Sequence, residues 1–100
     1  MSKYGLWVRL EAKSGMEEQL AAFLKSAVPL VQQEPKTIAW FAIRISKNEF
    51  GIFDTFNDES GRADHLSGKV AAALMEKAPT LLKTPPSIEK IDVLADKLPG

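Results

Sequence analysis

Asp54 and His65 are the residues of this 100-residue chain whose types and spacing best fit chemistry. Asp54 interrupts a segment otherwise built from Phe50, Gly51, Ile52, Phe53 and Phe56. By strand alternation it shares a face with Ile52 and Phe56, where a carboxylate is costly unless paired, solvated or protonated. His65, the only histidine, follows within the next helical stretch and can fold back towards that strand. A carboxylate–imidazole pair in a partly apolar pocket can serve as a general base. The plainer reading, which the sequence by itself favours, gives Asp54 a backbone or Arg44 partner and leaves His65 half exposed on its helix.

Other chemistries find little support. With no cysteine, disulfides, thiolate metal sites and cysteine nucleophiles are excluded. One histidine among scattered carboxylates has no metal-ligand spacing, so no metal is expected. There is no glycine-rich phosphate loop and no G-x-S-x-G elbow. Phe50-Gly51-Ile52-Phe53 faintly echoes an RNA-binding motif, but Asn48-Glu49 replace its basic-glycine lead and Asp54 follows at once. Thirteen basic and thirteen acidic residues cancel, which also argues against nucleic acid.

The elements that must position Asp54 and His65 follow from periodicity. Tyr4 to Ala12 alternates, with Leu6, Val8 and Leu10 on one side and Trp7, Arg9 and Glu11 on the other. Ser14 with Glu17 reads as a capping box for a helix whose apolar residues run from Met16 to Val31. Pro29 predicts a kink or restart there, and Pro35 its end. Thr37 to Ser46 and Phe50 to Phe56 read as strands joined at Lys47-Asn48. Asn57 or Asp58 caps the next helix, which breaks near Gly68 and resumes to Ala78 before Pro79. Ser87 to Ala95 is the last strand.

The order β-α-β-β-α-β is the ferredoxin-like, α+β arrangement, with an antiparallel sheet and the first and third strands central. Residues 1–100 read as a single domain, folded and soluble in composition at 45% hydrophobic and 26% charged. No signal-like start and no bilayer-length apolar run are visible, so no membrane contact and a cytoplasmic location are expected. The second and third strands are apolar on both faces. Two helices can cover only one face of so small a sheet, so the predicted cover for the other is a second copy of the chain.

The runs WFAIR (40–44), FGIFDTF (50–56), DESGRADHLSG (58–68) and PPSIEKIDVL (85–94) resemble the antibiotic biosynthesis monooxygenase-like (ABM domain) family over nearly the whole chain. The resemblance implies a dimeric α+β barrel. It also implies oxidation of phenols or quinols by molecular oxygen without flavin, metal or haem, the deprotonated substrate itself acting as reductant. His65 and Asp54 then become the catalytic candidates, and Trp40 and Phe56 the substrate-pocket candidates. The haem-degrading branch has asparagine where this chain has Val8, tryptophan where His65 stands, and its ligating histidine where Met75 falls, which argues against haem. The expectation is a homodimeric, cofactor-independent monooxygenase of a small aromatic, phenolic or quinol-like compound. The alternative is a non-catalytic small-molecule-binding or stress-related dimer of the same fold.

Overall fold

The computed structural model describes residues 3–99. Strands β1 (Tyr4–Glu11), β2 (Thr37–Arg44), β3 (Glu49–Phe56) and β4 (Ser87–Asp92) form one antiparallel sheet in the order β2-β3-β1-β4. Helices α1 (Glu17–Ser26), α2 (Val28–Gln32), α3 (Glu59–Leu66) and α4 (Lys69–Leu81) complete the α+β, ferredoxin-like arrangement that the sequence order predicts.

Alternation decides what the helices cover. Leu6, Val8 and Leu10 on β1 stand beside Asp54, Ile52 and Phe50 on β3. All are buried, and Val8, Leu10, Ile52 and Phe50 pack with Leu20, Leu24 and Leu74 into one core. The opposite sheet face carries Trp7, Phe41, Ile43 and Phe53, and among the described residues no helix lies over it. Phe41 remains 55% and Ile43 42% exposed. Gly51 sits beneath the Trp7 ring on this face, where a Cβ would fall 2.5 Å from Cη2.

Several local expectations are corrected. Ser14 does not cap α1: Met16 occupies that position without a side-chain cap bond, and the chain turns at Gly15, whose φ is 87°. The Glu17 carboxylate accepts from the Gly15 N–H at 3.0 Å instead. Pro29 does mark a restart, falling in the first turn of α2. β2 ends at Arg44 rather than Ser46, and β4 ends at Asp92 rather than Ala95. A bulge between Thr37 and Ala39 leaves Ile38 out of the ladder.

Pro79 does not end α4, which runs on to Leu81. Proline lacks an N–H and ordinarily breaks a helix interior. Here the last turn is held from outside it. Lys13 donates its N–H to the Leu81 carbonyl at 2.8 Å and its Nζ to the Pro79 carbonyl at 2.6 Å, and Leu82 bridges to Ala12. Among the described residues no helix is long and apolar enough to cross a membrane.

Candidate active site

Asp58 starts the local chain of causes. Its carboxylate accepts from the Gly61 N–H at 2.9 Å, capping α3 directly after β3. That close connection folds α3 back over the strand and places His65 above Asp54. His65 Nε2 lies 3.0 Å from Asp54 Oδ2. The approach is poorly aligned for N–H···O bonding, so neither Asp54 oxygen has an aligned donor among the described residues, although Asp54 is fully buried. The contact is therefore chiefly one of opposite charges.

The other ring nitrogen has a partner that the sequence did not suggest. His65 Nδ1 stands 2.6 Å from Glu34 Oε1, which also accepts from the Thr37 hydroxyl at 2.7 Å. Glu34 precedes Pro35 at the end of α2, and the only local signal for it was that a carboxylate there sits where the chain must turn into β2. The separation of 31 residues hides it from any short-range pattern.

Burial disfavours the charged ring, but the Asp54 and Glu34 carboxylates outweigh it and raise the pKa of His65 above 6.5. Burial raises that of Asp54 above 3.8, with His65 opposing the shift. A carboxylate faces each nitrogen of the ring. His65 is thus buried, 7% exposed, not half exposed on its helix. Nor does Arg44 partner Asp54: it lies on the outer strand β2, 2.8 Å from Glu18 and over the Phe50 ring.

Phe56 packs its ring against His65 with centroids 5.5 Å apart. Trp40 is the cross-strand neighbour of Asp54 on the same face, and its buried Nε1 has no acceptor among the described residues. The four residues singled out in the sequence therefore converge, together with Glu34. They do not, however, all meet solvent. A cleft of about 260 Å³ opens between the α2–β2 connection and the α3–α4 junction, walled by Leu30, Glu34, Pro35, Thr37, His65 and Gly68 among others. Of the predicted residues only His65 lines it; Phe56 and Asp54 are buried against the imidazole, and Trp40 is not on the cleft wall. Arg62, which the sequence reading passed over, anchors α3 by donating to the Gly5 and Ile91 carbonyls at 3.3 Å.

A protein of unknown function from Nitrosomonas europaea, NE2512, has a solved structure that superposes with a TM-score of 0.98 at 56% identity, covering 100% of this chain and 97% of that one. This chain belongs to the same family as NE2512. Beyond that family the likeness is one of fold. An antibiotic biosynthesis monooxygenase superposes with a TM-score of 0.79 at 12% identity, over 92% of this chain and 99% of that one. A protein from Mycobacterium tuberculosis gives 0.82 at 14% identity, over 95% and 98%. No family model matches the chain, and no curated protein matches it.

Proposed function

We propose that this protein is a cofactor-independent monooxygenase of a small phenolic or quinol-like compound, bound in the cleft beside His65. The observation that carries the reading is a buried imidazole between two carboxylates at the edge of a small, partly apolar cleft. The fold, shared with an antibiotic biosynthesis monooxygenase, supports it. The cluster of His65, Asp54 and Glu34 removes a proton from the substrate, and the resulting anion donates electrons to oxygen. A carbon–oxygen bond forms at a ring C–H ortho or para to the anionic oxygen, giving a hydroperoxide; that carbon then loses its one hydrogen as a proton while the O–O bond breaks. One oxygen stays as a quinone carbonyl and the other leaves as water with the two protons released, the substrate supplying all the electrons.

Oxygen uptake by the purified protein with a panel of quinols tests this. His65→Ala should lower the rate about a hundredfold or more if the cluster is the base. An unchanged rate with a turned-over substrate would remove that role. One observation favours the second reading, a non-catalytic binder: both ring nitrogens are already engaged by carboxylates. Saturable binding with no oxygen uptake would support it.

The proposal includes a homodimer formed through the sheet face that carries Phe41 and Ile43, since an exposed apolar face of this kind calls for a partner. Sedimentation should find a dimer at micromolar concentration, and Phe41→Glu should shift it to monomer. A wild-type monomer would refute it.

A further inference from the structure

Building on the function just proposed, we propose that Glu34, through Oε2, is the group that takes the ligand's proton, and that the ligand is a small neutral hydroxyarene. The reacting oxygen is identified by what the other oxygen does. Oε1 is committed to His65 Nδ1 at 2.6 Å and to the Thr37 hydroxyl at 2.7 Å. Oε2 accepts no hydrogen bond from the described residues, and Glu34 stands on the cleft wall, its side chain 19% exposed. Asp54 does not reach the wall, and each nitrogen of His65 already faces a carboxylate.

Gly68 keeps the approach clear. It lies on the same wall, and a Cβ there would stand 3.4 Å from Oε2 and 3.1 Å from the Asp64 carbonyl. A side chain at that position would occupy the space from which a hydroxyl reaches the carboxylate.

Two carboxylates share one imidazole, so the cluster holds more acceptor oxygens than ring donors. The other charges on the wall are Lys36, Asp64 and Lys69, of which Lys36 is drawn to Asp64 at 3.5 Å. In the step, the ligand O–H bond breaks and the proton passes to Oε2. The electron pair stays on the ligand oxygen, so the negative charge moves from the cluster to the aryloxide. The ligand is small because about 260 Å³ lies just below the range of about 300–1,000 Å³ typical of drug-sized sites. Leu30 and Pro35 give its ring an apolar seat.

The test uses 4-nitrophenol, whose absorption band shifts when it ionises, titrated with the whole protein at a pH where the free phenol is mainly neutral. Wild type should bind it saturably as the phenolate. Glu34→Gln should abolish the phenolate band, and Glu34→Asp should retain part of it. A neutral band on wild type, no saturable binding, or an unchanged phenolate band in Glu34→Gln would each overturn the assignment. Oxygen uptake separates the two readings. A phenolate band that depends on Glu34, with no quinol oxidised, keeps this inference and removes the monooxygenase. Quinol oxidation at an unchanged rate in Glu34→Gln does the reverse.

Discussion

Replacing His65 with leucine should destabilise the protein severely, and the loss should depend on pH in a way that identifies its cause. The substitution removes the donor 3.0 Å from Asp54 and leaves a fully buried carboxylate with no counter-charge. Breaking a buried ion pair by deleting one partner costs about 3–5 kcal/mol. The folded variant can escape part of this by keeping Asp54 protonated. Each pH unit above the ordinary value of 3.8 then costs about 1.4 kcal/mol, which comes to roughly 4 kcal/mol near neutrality. Both routes lead to a loss of roughly 3–4 kcal/mol, or a Tm lower by about 12 °C or more for a domain of this size. In the variant the Asp54 pKa is raised, so the folded state holds a proton that the unfolded state releases. Its stability therefore falls as pH rises from about 3.8 through the raised value. In wild type the pKa of His65 is raised above 6.5. The stability it contributes is complete below 6.5 and is lost as pH rises through the raised value. The difference between the two proteins should thus grow from the acid side, stay broad across the middle, and shrink at high pH. Urea unfolding across that range measures it. A difference curve that is flat with pH would refute the charge-pair account. So would an Asp54→Asn substitution that costs as much in the leucine background as in wild type, because there it should recover much of the loss.

Two further perturbations probe the frame around the site. Arg62→Met should cost about 1–3 kcal/mol, because it removes the donor from the Gly5 and Ile91 carbonyls; hydrogen exchange should show β4 loosening first. Gly51→Ala should displace the Trp7 ring, since the new Cβ would lie 2.5 Å from it, at a cost of about 1–3 kcal/mol. Tryptophan emission should shift with it, and an unshifted spectrum at full stability would contradict the packing.

What could be read from the sequence was what local rules control. Leu6, Val8 and Leu10 alternate because one sheet face must be apolar, and that pattern survives intact. Asp58 caps α3 because an extended residue with a short carboxylate can reach an amide three residues on. Both are decided within a few residues. Pro79 lies beyond such rules: its tolerance comes from Lys13, 66 residues away, which holds the end of the helix that proline weakens. The Ile38 bulge likewise depends on how Thr37 and Ala39 register against β3.

The site divides along the same line. Asp54 stood out in the sequence because a carboxylate on an apolar face is a local anomaly, and His65 because it is unique. Glu34 is one acid among 13 acidic residues, and its place before Pro35 says nothing of a partner 31 residues away. Yet it is the member of the cluster that joins the buried charge to the cleft. A buried carboxylate needs a cation, and the cation chosen here has two faces. Filling the inner face with Asp54 leaves the outer face to be satisfied by whatever the fold brings to the cleft wall. Because it is a carboxylate with two oxygens, the one that meets His65 leaves the other as an acceptor on the cleft wall.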